Sequence, residues 1–197
     1  MNSKKATSQL KKIQKYNTNP IRLAGEGWDS DWKTLISIMM SAQTRDTTTI
    51  KICNTLFNKY DSLEKLAKAR LTEIENIISS INYYKTKAKN ILATSIIINK
   101  SPIPETIEDL IKLPGVGRKT ASVFLSETGK SPAIGVDTHV FRISKKLGWT
   151  NQNTPEKVES ELKKLFEKKY WNEINSTLVK FGQTHTRIEE DNILLKI

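Results

Sequence analysis

The sequence predicts an all-α fold, and two observations lead to this prediction. Apolar residues recur every three or four positions in several segments, as they do on the buried face of a helix, for example from Trp32 to Met40. No segment shows the sustained alternation of apolar and polar residues, bounded by hairpin turns, that marks a β-strand. We therefore expect helices throughout and no sheet.

Helix-start residues indicate where the individual helices begin. Asp31 and Asp46 each precede an apolar run, and Thr154 is a cap before Pro155 at the first helical position. The segment Thr72–Glu75 has the pattern of a capping box and predicts a short helix. The remaining predicted helices cover residues 84–99, which are rich in lysine, and residues 107–112, 118–128 and 171–181.

The chain is strongly basic. Its 197 residues allow one or two small domains with a normal hydrophobic core. Lysine and arginine number 32 against 21 acidic residues, which gives a formal net charge of +11. Such a charge favours a polyanionic partner, most simply nucleic acid, although a generic basic surface has the same composition. Charge alone leaves both interpretations open.

Cysteine content and hydropathy argue against secreted and membrane proteins. Cys53 is the only cysteine, so no intramolecular disulfide can form, which fits a reducing compartment. The segment from Met1 to Tyr16 is lysine-rich and lacks an apolar stretch, so we expect no secretory leader. The longest apolar runs, such as residues 35–40, are too short to span a bilayer. We expect a cytoplasmic protein without a membrane partner.

The most informative segment is Leu113–Ala121, with the sequence LPGVGRKTA. One predicted helix leads into it and another starts at Arg118. Gly115 and Gly117 flank Val116, and two glycines allow a tight turn with positive φ and no Cβ in the way. The backbone N–H groups that start the following helix can then meet a phosphate closely. A Gly-x-Gly pair alone also fits an ordinary corner between two helices.

This string resembles the helix-hairpin-helix motif of the endonuclease III superfamily of DNA glycosylases. Three further segments match that family in order and spacing: residues 40–46 (MSAQTRD), 135–142 (GVDTHVFR) and 181–183 (FGQ). The resemblance covers residues 30–183, most of the chain. The hairpin alone occurs in many non-catalytic DNA-binding proteins, whereas the hairpin, its lysine and the Val-Asp-Thr-His string together are far more specific.

The resemblance implies that Lys119 is the nucleophile and Asp137 the catalytic carboxylate of a glycosylase that is also an AP lyase. Lys119 follows Arg118 in the first turn of a predicted helix, where nearby positive charge disfavours the ammonium form and so activates the amine. A phosphate-contacting lysine is the alternative. Asp137 is also an ordinary helix cap by position, and a cap holds a carboxylate fixed and ionised. Their separation of 18 positions fits one helix and a return loop.

The implied mechanism requires residues that enter the duplex when the damaged nucleotide rotates out of the stack. Gln43 matches the gap-filling glutamine of the family and Asp46 its pocket-side aspartate, while Tyr83 stands where relatives often carry an aliphatic wedge. A surface role for Gln43 and core packing for Tyr83 are the alternatives. His139 and Arg142 are candidates for lining the cleft, although a structural role is favoured for His139. The predicted DNA contacts are completed by the hairpin residues Gly115, Val116, Gly117 and Arg118.

One feature of the family is missing. Typical members end in four cysteines that hold a [4Fe–4S] cluster, and such a cluster needs four thiolates. This chain has only Cys53, and Thr186 stands where the first ligand would be, so we expect no cluster and no other metal site. Packing through Trp149, Trp171 and Phe181 is expected to hold the terminal helices instead. A monovalent cation at the hairpin is the one ion left open.

The resulting prediction is an all-α, two-lobed helix-hairpin-helix glycosylase with a DNA-binding cleft between its lobes. Residues 24–135 are expected to form a helical barrel lobe with the hairpin, and residues 1–23 and 136–197 the second lobe. The expected partner is duplex DNA with damaged bases or abasic sites, bound by a nucleoid-associated monomer. Oxidised pyrimidines are the expected substrates, with mismatched thymine or uracil, or an oxidised purine, as the alternative. A non-catalytic helix-hairpin-helix module is the alternative from another class.

Overall fold

The computed structural model describes residues 1–18 and 21–197, and in these residues every regular element is a helix, which confirms the all-α prediction. No helix in these two ranges combines the length and apolar character that a membrane crossing needs. In chain order the helices are α1 (Ser3–Tyr16), α2 (Asp31–Ser41), α3 (Asp46–Lys59), α4 (Leu63–Ala67), α5 (Leu71–Ile77), α6 (Tyr84–Ile98), α7 (Ile107–Leu110), α8 (Arg118–Thr128), α9 (Thr138–Lys146), α10 (Pro155–Leu165), a 3₁₀ turn (Lys168–Tyr170), α11 (Trp171–Thr184) and α12 (Arg187–Leu194).

Three helix starts follow the signals read from the sequence. Asp137 is the N-cap of α9, and its Oδ1 accepts a hydrogen bond from the Val140 N–H at 2.8 Å. Thr154 caps α10 with Pro155 at the first helical position. Helix α8 begins at Arg118, directly after the glycine turn. Local side-chain capping and proline geometry were therefore sufficient to predict these ends.

The capping box expected at Thr72–Glu75 was wrong. Helix α5 begins at Leu71 with Arg70 as its N-cap, so Thr72 already lies inside the helix. Glu73 makes contacts outside the predicted box, because its carboxylate accepts hydrogen bonds from Arg70 Nε at 2.9 Å and from the Tyr60 hydroxyl at 2.7 Å. The interaction with Tyr60 comes from α3's C-terminal cap and is invisible to a local pattern.

Three of the described helices were not predicted: the short helix α4 and one helix near each end of the sequence. Helix α1 is capped by Asn2, whose Oδ1 accepts from the Lys5 N–H at 2.9 Å. Helix α11 continues past the predicted end at Phe181, and α12 then starts with a complete capping box between Thr186 and Glu189. Both bonds of that box are present, so α12 is a well-defined helix.

The described chain divides into two compact units, and the first, which we call the hairpin unit, is the contiguous segment Arg22–Thr128. Helix α2 packs against α3, α6 and α8, and its residues Leu35, Ile36 and Met40 are fully buried. Burial of each such side chain contributes about 2 kcal/mol. Helix α6 also packs against α4 and α5. Helices α2 and α6 therefore fix the frame on which the glycine turn and α8 are built.

The second unit, which we call the terminal unit, combines Met1–Ile21 with Gly129–Ile197. Helix α11 packs against α1, α9 and α12. Trp149 is 4% exposed, donates its indole N–H to Gln9 Oε1 at 2.8 Å and meets the Phe166 ring edge-on at 4.8 Å. Phe181 is fully buried in the same core. The packing expected at Trp149 and Phe181 is confirmed.

The segment 129–135 belongs to the terminal unit, whereas the lobe predicted from the sequence carried the hairpin unit to residue 135. Two hydrogen bonds to α11 explain this. The Ala133 N–H donates to Asn172 Oδ1 at 3.0 Å, and Asn175 Nδ2 donates to the Gly135 carbonyl at 2.7 Å. The DNA-binding cleft between two lobes stays a prediction.

Candidate functional site

The turn between α7 and α8 has a backbone that requires glycine at one position. Gly115 has φ +77°, and a Cβ there would lie 2.7 Å from the Asn90 side chain. Val116 is 5% exposed, and its N–H donates to the Leu113 carbonyl at 3.1 Å. Gly117 is exposed, and a Cβ there would meet nothing within 4 Å. The turn thus packs Val116 inward and exposes backbone on both sides of it.

Helix α8 follows this turn at once and carries Lys119 as an exposed side chain in its first helical turn. The first backbone hydrogen bond of the helix runs from the Ala121 N–H to the Gly117 carbonyl at 2.9 Å. N–H groups before that point have no acceptor within the helix and form its positive end. Arg118, also exposed, adds a fixed positive charge. The arrangement attracts an anion beside the Lys119 amine.

Two residues of helix α6, Thr94 and Asn90, contact the glycine turn. Thr94 is fully buried, and its hydroxyl donates to the Pro114 carbonyl at 2.8 Å. Asn90, one helical turn earlier, is the side chain that closes the space beside Gly115. The two contacts join the turn to a helix of the same unit, so its shape does not depend on the short helix α7 alone.

A second cluster in the hairpin unit consists of residues 42–44 and 82–83, which we call the paired turns. Gln43 and Tyr83 have φ values of 57° and 58° and are the non-glycine residues with positive φ in the described part of the chain. Asn82 Nδ2 donates to the Gln43 carbonyl at 2.7 Å and links the turns. A left-handed conformation costs such residues about 1–2 kcal/mol. Tyr83 is 67% exposed, so core packing does not explain it.

Asp46 lies in the first turn of α3 and is half-buried. Its Oδ1 accepts a hydrogen bond from the Ala24 N–H at 3.0 Å. One oxygen of the carboxylate therefore fixes the backbone ahead of α2. The pocket role predicted for Asp46 stays a prediction.

In the terminal unit, Asp137 is held in an unstrained capping position. Its backbone is extended, with φ −102° and ψ −171°, and the bond from the Val140 N–H fixes Oδ1 at the positive end of α9. The side chain is half-buried. The carboxylate is therefore held in one orientation by the cap, and the catalytic role predicted for Asp137 stays a prediction.

His139 and Arg142 follow on the same helix, where α9 approaches α11 very closely. A Cβ at Gly182 would lie 2.2 Å from His139 Nδ1 and 3.0 Å from Arg142 Nη2, so only glycine fits there. Arg142 donates from Nε and Nη2 to the two carboxylate oxygens of Glu190 at 3.0 and 2.6 Å. Both side chains thus have structural contacts, and the DNA contacts predicted for them stay predictions.

Glu190 is the centre of a charge cluster that joins α9 to α12. Its side chain is fully buried, and it pairs with Lys146 at 2.9 Å and Arg187 at 3.4 Å as well as with Arg142. Burial raises the pKa of Glu190, but hydrogen bonds from Arg142 and Lys146 outweigh it, so the pKa lies below its ordinary value. A buried carboxylate is tolerated here because cations surround it.

The cysteine of the chain is unsuited to metal binding. Cys53 is fully buried, its Sγ lies 3.7 Å from Met40 Sδ, and burial raises the pKa of the thiol to about 12. In residues 1–18 and 21–197 there is no group of three or more histidine, cysteine or acidic side chains that could hold a metal ion. The residues present do not fit a [4Fe–4S] cluster, which needs four thiolates.

The structure brings some of the predicted site residues together. Gln43 and Tyr83 lie in the paired turns, which the Asn82 bond to the Gln43 carbonyl links, whereas Lys119 belongs to the hairpin unit and Asp137 to the terminal unit. Sequence reasoning missed Lys87 and Glu190. Lys87 sits on a helix with many lysines, and Glu190 sits in an acidic run at the start of a helix, so both have the pattern of solvent-exposed residues.

Comparisons with known proteins agree with this geometry. The sequence profile of the HhH-GPD family, described as the HhH-GPD superfamily of base excision DNA repair proteins, matches residues 36–168, more than half of the chain. Endonuclease III of Thermotoga maritima is 43% identical over 155 residues, which are 77% of this chain and 73% of that protein. Endonuclease III of Bacillus subtilis is 37% identical and covers 80% of this chain and 74% of its own length.

Solved structures extend the likeness to the fold. A structure described as a trapped endonuclease III–DNA covalent intermediate has a TM-score of 0.84 and 32% identity, and the match covers 94% of this chain and 88% of that one. A thermostable thymine-DNA glycosylase, 20% identical with a TM-score of 0.65, shares the fold. The chain therefore belongs to the HhH-GPD superfamily of base excision DNA repair proteins, as an endonuclease III homologue of the DNA glycosylase and AP lyase class.

Proposed function

We propose that this protein removes oxidised pyrimidines from duplex DNA and cuts the strand by β-elimination, with Lys119 as nucleophile and Asp137 as catalytic carboxylate. One observation carries the proposal: an exposed lysine occupies the first turn of the helix that directly follows the glycine turn. The carboxylate that Val140 fixes at the start of α9 supports it, because phosphate binding alone needs no such group. The trapped covalent intermediate of a structural relative is consistent with an amine nucleophile.

The proposed chemistry begins when the damaged nucleotide rotates out of the stack. The lone pair of the neutral Lys119 amine attacks C1′ and forms the N–C1′ bond. The glycosidic bond breaks, and the base leaves with the electron pair of that bond and takes up a proton from water. Asp137 stabilises the positive charge developing on the sugar and accepts a proton from the attacking nitrogen. The nitrogen lone pair then forms the C1′=N bond of a Schiff base as the C1′–O4′ bond breaks, and O4′ takes up the proton held by Asp137. Loss of a C2′ proton then breaks the C3′–O bond, and the strand on the 3′ side leaves with a phosphate at its 5′ end. Water finally hydrolyses the Schiff base and regenerates the Lys119 amine.

In this proposal the remaining predicted residues bind the DNA. The paired turns enter the duplex, where Gln43 fills the gap left by the extruded nucleotide and Tyr83 stacks as the wedge. Asp46 lies on the pocket side. The backbone phosphates are held by the hairpin residues Gly115, Gly117 and Arg118, and by His139 and Arg142 from α9. Val116, whose N–H bonds to the Leu113 carbonyl, contributes by packing the turn that presents them. Affinity should fall steeply as salt rises, because phosphate contacts dominate.

We further propose that the protein works as a monomer in the cytoplasm, associated with the nucleoid, and without an iron–sulfur cluster. The single cysteine supports the last point, since it cannot supply four thiolates. Iron analysis of the isolated protein checks it, and the expected result is base release that persists after chelation. Stoichiometric iron would contradict it. A monovalent cation at the hairpin stays an open expectation.

Borohydride trapping tests the nucleophile. Borohydride reduces a Schiff base to a stable covalent adduct, so the wild type should be trapped on damaged or abasic DNA, and Lys119→Gln should not. Lys112→Gln is the matched control, because Lys112 is an exposed lysine near the same turn that pairs with Asp109 at 2.7 Å. Undiminished trapping of Lys119→Gln would mean that another amine attacks. A wild type that binds DNA, is never trapped and releases no base would indicate a non-catalytic module.

The lesion is tested with a panel of duplexes that each carry one modified base. Fastest base release from oxidised pyrimidines supports the proposed substrate class. Fastest release from a mismatched thymine or uracil, or from an oxidised purine, would replace that class and leave the roles of Lys119 and Asp137 unchanged.

A further inference from the structure

The Lys87 side chain on α6 turns toward the end of α2. Its Nζ donates to the Met40 carbonyl at 2.7 Å, the Ala42 carbonyl at 2.6 Å and the Thr44 hydroxyl at 3.3 Å. An ammonium group has three N–H donors, so all of them are used within the protein. The side chain is also half-buried. Lys87 is therefore not one of the lysines that contact phosphate.

The surroundings of this ammonium are electrostatically suited to a cation. Met40 lies in the last turn of α2 and Ala42 is its C-cap. The last carbonyls of a helix lack partners within the helix and form its negative end. Burial lowers the pKa of Lys87, because the ammonium group is partly removed from water where it makes these contacts. A shorter or neutral side chain could not satisfy the same acceptors.

The backbone of Lys87 also contacts the second of the paired turns, at Tyr83. Its N–H donates to the Tyr83 carbonyl at 3.0 Å, which is the first helical bond of α6. The side chain bonds on both sides of Gln43, at Ala42 and Thr44. Tyr83 is the N-cap of α6, and its side chain makes no capping hydrogen bond to the helix. The Lys87 side chain thus joins the turn at Gln43 to α6, the helix that begins after Tyr83, whereas the backbone bond to Tyr83 does not depend on the lysine side chain.

We propose that Lys87 is a positioning residue that presents Gln43 and Tyr83 together to the DNA duplex, so that the two can act in one extrusion step. The inference rests on the proposed function, because it assigns a purpose to the gap-filling and wedge roles. Lys87 touches no reacting atom in this scheme. It acts through the shape of the paired turns, which otherwise depend on the Asn82 bond to the Gln43 carbonyl.

The test compares lesions that must be extruded with sites that need no extrusion. Lys87→Met keeps the length of the side chain and removes its charge. We expect single-turnover release of a damaged base from duplex DNA to fall about tenfold or more, with trapping on a single-stranded abasic site changing less than about threefold. Lys89→Gln, which removes a charge from the exposed side of the same helix, should leave the ratio of the two rates unchanged. Lys87→Arg should restore part of the loss.

A structural role alone would lower both rates together, and that result would overturn the inference. If Lys87→Met does not fold, the milder Lys87→Gln is measured in the same way. The double variant with Gln43→Ala adds a second criterion. If Lys87 acts through Gln43, its substitution should change duplex excision little once Gln43 is gone, whereas full additivity contradicts the idea.

The failure of this inference is distinguishable from failure of the proposed function. Fluorescence of 2-aminopurine placed opposite the lesion reports extrusion without requiring base release. A wild type that releases no base from any duplex refutes the proposed function, and the fluorescence change then decides on Lys87 alone. A change of equal size in the wild type and Lys87→Met would overturn the positioning role.

Discussion

Helices α6 and α9 each begin at a residue predicted to face DNA, but they begin in opposite ways. Asp137 starts α9 with an extended backbone and caps it with its own carboxylate. Tyr83 starts α6 in the left-handed region, without a side-chain cap and 67% exposed. The comparison shows that the Asp137 carboxylate is held by a residue with an unstrained backbone, whereas the Tyr83 ring is exposed by a residue with a strained one. A fixed carboxylate suits the role proposed for Asp137, which is to stabilise a developing charge, and an exposed ring suits the role proposed for Tyr83, which is to enter the base stack.

The contacts that hold the two helices in place are also of opposite sign. A buried carboxylate, Glu190, binds two cations of α9. An ammonium group, that of Lys87, binds backbone carbonyls next to the start of α6. The Glu190 carboxylate is thus neutralised by cationic side chains of α9, whereas the Lys87 ammonium of α6 is neutralised by the carbonyl end of α2. Substitutions can therefore separate the two kinds of support.

The largest expected effect comes from Asp137→Asn, which keeps the cap and removes the charge. Loss of one preorganised group near a developing charge costs about 10²–10³ in rate, or about 3–4 kcal/mol. Single-turnover base release should fall by that factor while the melting temperature stays near that of the wild type. Asp137→Ala should lose the rate and a further ~1 kcal/mol of stability, because the cap is gone. If Asp137→Asn released the base as fast as the wild type, the negative charge of Asp137 at the start of α9 would not be needed for the reaction.

The next effect concerns Glu190 and depends on pH. Because the folded-state pKa of Glu190 lies below its ordinary value of 4.5, its stabilisation is present above pH 4.5 and is lost as pH falls toward the folded pKa. Glu190→Gln should cost about 2 kcal/mol at pH 7, a value reduced for the partial exposure of Arg142 and Lys146. The difference from the wild type should shrink on acidification. Asp191→Asn, at an exposed neighbour that also pairs with Lys146, is the control and should change stability little. A pH-independent difference between Glu190→Gln and wild type would show that packing dominates.

The smallest effect is expected for Tyr83→Gly, and its two readouts should move in opposite directions. Glycine accepts the left-handed conformation, so stability should stay level or rise by up to about 1 kcal/mol, while excision from duplex DNA falls. Tyr83→Leu keeps an apolar side chain and the strain, so it should lose less excision without gaining stability. If glycine lowers stability, the idea of a strained start to α6 is wrong.

These regions also indicate what a sequence can predict. The glycine turn, the start of α8 at Arg118 and the cap at Asp137 follow from local rules, because turn geometry and capping act within a few residues. The direction of the Lys87 side chain could not be predicted, because its acceptors lie more than 40 residues away in the chain. The same holds for Glu190, whose partner Arg142 is 48 residues away. Contacts that depend on tertiary packing leave no local pattern.

The two units also differ in how soon they can form on the ribosome. The hairpin unit is one uninterrupted stretch, so all its partners exist once the chain has passed Thr128. The terminal unit joins α1 to α11, with Gln14 Nε2 bonded to Glu173 Oε2 at 2.8 Å across 159 residues. Helix α1, although translated before α11, must wait for α11 before it can bury its apolar face. We expect that nascent chains arrested before α11 protect the hairpin unit from proteolysis and leave α1 open to cleavage.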